Sequence, residues 1–430
     1  MIIKNKKNAF WILLFAIVFI SVNSYNSFTR FELEETKEII ASDGLGYYVY
    51  LPAFFNNHDV LHQWYAMKLE NGYTLNKYTC GVALLETPFF LIGKLLTSVF
   101  NENPDERNPI YMLLMTISIS TYVYIGLCVI YFLIKRKFDK KTAWFCVIAL
   151  YMATNLHYYG FYEPGQSHAY SFFCFAMCWY FTDRYYEKGE MISLAAFGFF
   201  FSMATLIRPT SILIIFFFLF YETYTLTDIK QRIQQHLKNY RHFLLLLGIA
   251  ILIATPQMLY WYCVTGKPVV FSYGYNHESF SNWKSPKIIQ VLVGNESGWL
   301  PYTPIMILSL IGLYLGIKQK KMSAAVILFV FILCLYICSS WWAYTFSCAF
   351  GYRSFVEYYA ILAGPMALAV FKIFETKNKL LISGFLLLSL VFIYVNLEMS
   401  SMYSKSPCWD GPDWHWDNYF SILEKIFTIE

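Results

Sequence analysis

Residues Pro109–Lys141 read PIYMLLMTISISTYVYIGLCVIYFLIKRKFDKK. No charged side chain occurs in 109–134, and then Lys135, Arg136, Lys137, Lys140 and Lys141 follow in a cluster. At about 1.5 Å per residue such a run is long enough to cross a hydrocarbon core of about 30 Å. A dense basic group closing an apolar span marks its cytoplasmic end. This one stretch therefore sets both the solvent of the chain and the orientation of one helix.

The composition agrees. The 430 residues are 57% hydrophobic, 20% aromatic and 14% charged, where a soluble domain carries about 25% charged residues. In lipid every backbone group needs an internal partner, which leaves helices or closed barrels. The apolar runs are continuous rather than alternating, so the expected class is an all-α polytopic membrane protein. The net charge of +5 is spread in small groups between apolar spans. No basic stripe with interleaved aromatics appears, which argues against a nucleic-acid partner.

Further spans are expected at 9–25, 142–161, 168–183, 243–262, 301–317, 323–341, 358–374 and 380–398. The first follows the basic Met1–Lys7, and no small-residue cleavage site succeeds its apolar core at Ala9–Val22, so it reads as an uncleaved anchor. Two regions need charge parity. Counting Val82–Phe100 as a span would place Lys135–Lys141 outside, so the segment is read as a helix on the outer membrane surface. The run Met191–Leu226 is too long for one crossing and is broken by Arg208-Pro209, so it reads as two short spans. The result is about eleven transmembrane helices, with the N-terminus cytoplasmic and the C-terminus outside. The inner segments 4–7, 135–141, 184–188, 230–241, 318–321 and 372–379 hold 20 of the 33 Lys and Arg. The expected division is a transmembrane domain over 1–400 and a short outer tail over 401–430. The long outer loops, above all 26–108, mark the outside as the working face.

In that loop Ser42-Asp43-Gly44-Leu45-Gly46-Tyr47-Tyr48 puts a carboxylate before two glycines and two aromatics. Asp43 suits a general base, or else the cap of a helix starting near Gly44. Tyr47 and Tyr48 suit stacking on a sugar, or else a seat at the headgroup level. Lys77 suits a phosphate contact or a lysine at the headgroup boundary. His168 opens a span and could bond a substrate hydroxyl or phosphate, against the reading of a satisfied interface histidine. Arg208, at the apex of an apolar hairpin, calls for an anionic partner. Arg353 raises the same need, with Glu357 one turn on as an intrahelical alternative. In the tail, Asp413, His415 and Asp417 would share a face if extended, as for a hard metal, against the reading of Trp-rich packing. Cys80, Cys263, Cys348 and Cys408 fall on the outer side and could pair, in an order that stays open. The Cys174/Cys178 and Cys334/Cys338 pairs read as packing. Asn295-Glu296-Ser297 matches a glycosylation acceptor too common to weigh.

Asp43-Gly44 with Gly46-Tyr47-Tyr48, Lys77-Tyr78 with Gly81 and Pro88-Phe89-Phe90, Ser167-His168-Ala169-Tyr170, Arg208-Pro209, Tyr302-Thr303-Pro304 and Phe350-Gly351-Tyr352-Arg353 stand in a defined order. In that order the chain resembles the GT-C superfamily of membrane glycosyltransferases, in its bacterial protein-mannosyltransferase-like or rhizobial galacturonosyltransferase-like branch. The resemblance implies a GT-C-like fold with interfacial helices in the first outer loop. It implies inverting transfer of a sugar from a polyprenyl-phosphate donor to a glycan, lipid or other acceptor, outside the bacterial cytoplasmic membrane. Asp43 would be the base, Lys77, Arg208 and Arg353 would hold the donor phosphate, and Tyr47, Tyr48 and His168 would contact substrate. Relatives often show two adjacent acids in this loop, whereas Gly44 follows Asp43 and the other acids (Glu32, Glu34, Glu35, Glu38) lie upstream. A divalent metal therefore has no clear ligand set in the sequence. The competing classes are a transporter or flippase, for which no internal repeat is visible, and a polymerase or ligase of lipid-linked saccharides.

Overall fold

Apolar runs became helices nearly everywhere, and the polar breaks between them determine where each one stops. The computed structural model describes all residues except 1–5, 34–38, 57–64, 104, 106, 412 and 429–430, with the side chains of 6–11, 31–33 and 276 also outside the description. Lys4, Glu34, Glu35 and Glu38 lie outside the described residues, as do the side chains of Lys6, Lys7 and Glu32. Two compact units form. Unit 1 is Met1–Ile125, Tyr159–Tyr170 and Pro256–Asn276; unit 2 is Gly126–Tyr158, Ser171–Thr255 and His277–Glu430.

In unit 1, α1 (Lys6–Leu33) is fastened by polar side chains: Asn23 Nδ2 donates to Ser120 Oγ at 2.9 Å, and Ser27 Oγ to the Phe161 carbonyl at 2.9 Å. Such bonds join apolar helices that gain nothing from burial against each other in lipid. The first outer loop then holds α2 (Asp43–Tyr48), α3 (Tyr50–Phe55) and an antiparallel hairpin of β1 (Ala66–Lys68) with β2 (Thr74–Asn76), in which Met67 faces Leu75. It closes with α4 (Gly81–Val99), followed by α5 (Pro109–Lys137). In α4, Glu86 is fully buried and accepts the Tyr170 hydroxyl at 2.7 Å.

Unit 2 begins within α5. The expected span at 142–161 is shorter: α6 (Lys140–Met152) ends early and a π-helical turn follows at Tyr158–Tyr162. Thr154 and Asn155 supply the break. Thr154 Oγ1 turns back to the Leu150 carbonyl, while Asn396 Nδ2 takes up the freed Met152 and Thr154 carbonyls at 3.0 and 3.1 Å. Those bonds satisfy the helix end that water cannot reach. Next come α7 (Ser167–Lys188) and α8 (Met191–Ile207). The expected interruption falls at Arg208-Pro209, where a 3-10 turn (Pro209–Leu213) leads to α9 (Ile214–Leu219). The amphipathic α10 (Leu226–Lys238), opened by a Thr225/Asp228 capping box, precedes α11 (Tyr240–Thr265). Two short helices, α12 (Ile288–Val293) and α13 (Trp299–Tyr302), lead to α14 (Ile307–Gln319), α15 (Ala324–Ser339), α16 (Tyr359–Glu375), α17 (Lys379–Lys405) and α18 (Trp416–Phe427).

Among the described residues five helices are long and apolar enough to cross a membrane: Ile12–Arg30, Gly81–Val99, Pro109–Lys137, Tyr240–Thr265 and Lys379–Lys405. Gly81–Val99 is one of them, although charge parity assigns that segment to the surface. Shorter apolar helices at Met191–Ile207, Pro209–Leu219, Pro304–Gln319 and Ala324–Ser339 accompany them. The count of about eleven spans remains an expectation of the sequence.

Within unit 2 the segments assigned to one side by charge come together. Arg136 pairs with Asp183 and with Glu187 (2.8 Å), and Lys137 with Asp183 (3.1 Å) and Glu222 (3.0 Å). At the other loops Cys348 and Cys408 form a disulfide between the 340–357 loop and the tail. Closing a loop of 60 residues contributes about 4 kcal/mol in the chain-entropy account. The tail is not extended. His415 is the N-cap of α18, Asp417 lies in its first turn, and Trp409 stacks on Trp414 at 5.4 Å. The shared metal face at Asp413, His415 and Asp417 is thereby replaced by tryptophan packing. Asn295 is committed too, donating to the Trp414 carbonyl at 2.8 Å.

Candidate active site

Asp43 begins α2 rather than capping it. Ser42 occupies the N-cap position with φ +54° and makes no side-chain cap bond. A residue with a side chain holds that backbone geometry at a cost, and such positions cluster at functional sites. The turn is closed by Gly44 N–H to the Ala41 carbonyl (3.1 Å) and Leu45 N–H to Ser42 (3.2 Å). The Asp43 carboxylate is instead engaged from the side, where Oδ1 accepts the Tyr78 hydroxyl at 2.6 Å.

The two glycines after Asp43 make this possible. A Cβ on Gly44 would lie 2.9 Å from the Gly165 Cα, so Gly44 lets the Glu163–His168 turn pack against α2. A Cβ on Gly46 would lie 2.2 Å from the Tyr78 ring. Gly46 thus opens the slot through which Tyr78 crosses α2 to reach Asp43. Gly46→Ala is expected to push Tyr78 out of that slot. The expected result is a stability loss of about 1–3 kcal/mol together with reduced activity, read by thermal unfolding in detergent and by a transfer assay; wild-type values in both would refute the slot.

Tyr78 is held at every polar atom. Asn76, fully buried, accepts from the Tyr78 N–H at 3.0 Å and donates to the Gly46 carbonyl at 2.7 Å. The Tyr78 carbonyl accepts the Tyr50 hydroxyl at 2.6 Å, and the Tyr47 ring lies 4.7 Å away. Burial first, and the Asp43 charge second, push the Tyr78 phenol well above its ordinary value. It therefore stays protonated and acts as a donor to Asp43, not as a base.

Lys77 is buried. Its Nζ lies 5.1 Å from the Tyr78 ring centroid and 5.4 Å from that of Tyr273. Its backbone is pinned by Lys77 N–H to Tyr65 (2.8 Å) and by Ser272 Oγ donating to its carbonyl (2.6 Å). A carboxylate and an ammonium are thus fixed around one tyrosine. His168 is buried at the start of α7, its ring 5.4 Å from that of Tyr159. Tyr48 turns into the core against Phe90, 6.0 Å between ring centres.

The two arginines belong to unit 2. Arg208 does meet an anion, and it is a protein carboxylate: Arg208 Nε lies 3.1 Å from Glu357 Oε1, and Nη2 donates to Ser354 Oγ at 3.0 Å. A 3-10 turn (Arg353–Phe355) holds Arg353 with its guanidinium 5.6 Å from the Phe346 ring centre. Burial raises the Glu357 carboxyl and the Arg208 charge draws it back. Among the described residues the one group of three side chains spaced for a metal is Cys348, Cys408 and Asp410, and two of these are bonded to each other. Asp43 is not part of it.

Tyr78 and Asn76 were the residues that sequence reasoning missed. Lys77-Tyr78 was visible as a string, but nothing in it links Tyr78 to a carboxylate 35 positions earlier.

Comparison with solved structures aligns nearly the whole chain with one membrane enzyme. Archaeal oligosaccharyltransferase AglB from Archaeoglobus fulgidus, in complex with an inhibitory peptide and a dolichol-phosphate, matches 98% of this chain with TM-score 0.56 and 14% identity. The chain shares the fold of that enzyme. ArnT from Cupriavidus metallidurans matches 85% of the chain in its apo state (TM-score 0.53, 12% identity). Its undecaprenyl phosphate-bound structure matches 84% (TM-score 0.50, 12% identity). The family model for dolichyl-phosphate-mannose-protein mannosyltransferase matches residues 87–261, less than half of the chain. Against curated protein sequences the chain has no match. It spans 58% of AglB and 60% of apo ArnT (59% of the undecaprenyl phosphate-bound form), so the likeness concerns the shared fold and not their full length.

Proposed function

We propose that the chain is a glycosyltransferase that moves a sugar from a polyprenyl-phosphate donor to a hydroxyl acceptor, with inversion. The observation that carries this reading is Asp43, held by the Tyr78 hydroxyl at 2.6 Å beside the buried Lys77. The carboxylate takes the acceptor proton as the hydroxyl attacks the anomeric carbon. The bond from that carbon to the phosphate oxygen breaks, and the phosphate leaves with its electron pair on the lipid. Lys77 meets the charge that grows on the phosphate, a contact stronger in a dry site than in water. Tyr78 keeps the carboxylate aimed, and Tyr47 and His168 are proposed to contact substrate. Arg353 keeps its expected role as a cation for lipid phosphate, while Arg208, engaged with Glu357, is proposed to act through that pair.

The proposed location is the bacterial cytoplasmic membrane, with the N-terminus inside and the tail outside. A disulfide between the 340–357 loop and the tail supports an oxidising side for both. The test is direct: purified protein is incubated with polyprenyl-phosphate sugars and acceptor glycans, and release of the lipid phosphate is followed. Turnover with at least one donor is expected. A folded protein that turns over none, yet moves lipid-linked saccharide across a vesicle membrane, would replace the enzyme reading with a flippase.

A further inference from the structure

On the side of unit 2 where the basic segments meet, a cavity of about 360 Å³ is lined by Lys137, Lys320, Lys321 and Lys372 together with Glu222, and Phe138 and Leu368 are among its apolar walls. Three segments that charge patterning assigned to the cytoplasmic face, at 135–141, 318–321 and 372–379, supply these lysines. Two of the four are already neutralised. Lys137 pairs with Asp183 and Glu222, and Lys372 with Glu375 at 2.6 Å. Lys320 and Lys321 enter no ion pair within 4 Å among the described residues.

The turn carrying them is set in advance. Lys320, Met322 and Ser323 all hold positive φ (53°, 58° and 51°), a geometry that residues with side chains adopt at a cost. Ser323 Oγ accepts from the Glu222 N–H at 2.9 Å, and the Lys321 N–H closes on the Gly316 carbonyl at 2.8 Å. A strained turn thus presents Lys320, in the field of Asp228, and Lys321, in that of Glu375, to a pocket walled partly by Phe138 and Leu368 and partly by the Glu222 carboxylate.

We propose that this pocket binds the phosphate headgroup of an anionic phospholipid from the inner leaflet. The ammonium groups of Lys320 and Lys321 meet the phosphate, and the Phe138 and Leu368 side takes the glycerol and upper acyl carbons. Basic pockets at the cytoplasmic ends of membrane helices recognise acidic lipids in this way. The inference rests on the membrane orientation and is independent of the transfer reaction, since no residue of the proposed catalytic site takes part.

The test uses the full chain in nanodiscs of phosphatidylcholine, with phosphatidylglycerol added as probe at low ionic strength. Retained lipid is counted by native mass spectrometry and stability is read by thermal unfolding. Phosphatidylglycerol should bind and raise the unfolding temperature of the wild type. K320Q/K321Q should lower its apparent affinity about thirty-fold, while the neighbouring K318Q should leave it unchanged. Equal binding of phosphatidylcholine, or unaltered affinity in K320Q/K321Q, would overturn the proposal. Equal stabilisation by inorganic phosphate would do so as well, in favour of a soluble anion. Both lysines are exposed at the end of a helix, so the double variant is expected to fold; its lipid-free unfolding temperature verifies this.

Discussion

Asp43→Asn should leave a folded protein that binds its lipid donor and turns it over about 10²–10⁴-fold more slowly. The amide keeps the size of the carboxylate and can still accept from Tyr78, so α2 and the slot made by Gly46 stay in place. What is lost is the ability to receive the acceptor proton. The effect therefore belongs in the rate of the chemical step, with apparent donor affinity within about threefold of wild type. Single-turnover release of the lipid phosphate separates the two. A variant that releases phosphate at the wild-type rate would exclude Asp43 as base and favour a ligase or flippase, neither of which needs that carboxylate.

The second large effect concerns Glu357. It is almost fully buried, and its anionic partner role toward Arg208 spans 149 positions of sequence. Glu357→Leu takes the carboxylate away from the guanidinium, and removing one member of such a pair is expected to cost about 3–5 kcal/mol. Thermal unfolding in detergent should fall accordingly. Removing both charges, as in R208M/E357L, should restore most of that stability, because two apolar side chains need no compensation in the same space. The double variant also separates two roles of Arg208. If it is stable and inactive, Arg208 serves the reaction; if it is stable and active, the pair serves the fold. A Glu357→Leu protein melting with the wild type would show that the pair stabilises nothing.

The sites differ in how far they could be read from the residues. The break at Arg208-Pro209 was visible because proline removes a helix donor and a charge in an apolar run is costly. That Arg208 needs an anion was visible for the same reason. Which anion was not, because Glu357 is an ordinary helix-start acid until the 3-10 turn at Arg353–Phe355 rotates it toward Arg208. The glycines at 44 and 46 announced a close approach, yet the neighbours proved to be Gly165 and the Tyr78 ring. The early end of α6 was missed because Thr154 and Asn155 look like small polar interruptions. They terminate the helix only because Asn396, far along the chain, takes up the freed carbonyls.

Asp43 shows both levels. By itself the sequence determined a membrane chain of helices, since hydrocarbon leaves the backbone no other way to satisfy its bonds. The sequence also assigned the bases to one side and set a carboxylate in a glycine-bearing outer loop. Local chemistry allowed that carboxylate to be a cap or a base, because both tasks use the same oxygen atoms. Tertiary structure alone put Ser42 at the cap position and brought Tyr78 to Asp43, and it likewise joined Glu357 to Arg208 and Cys348 to Cys408. Such pairings depend on where distant helices pack, and helix periodicity carries no record of partners 35, 149 or 60 residues away.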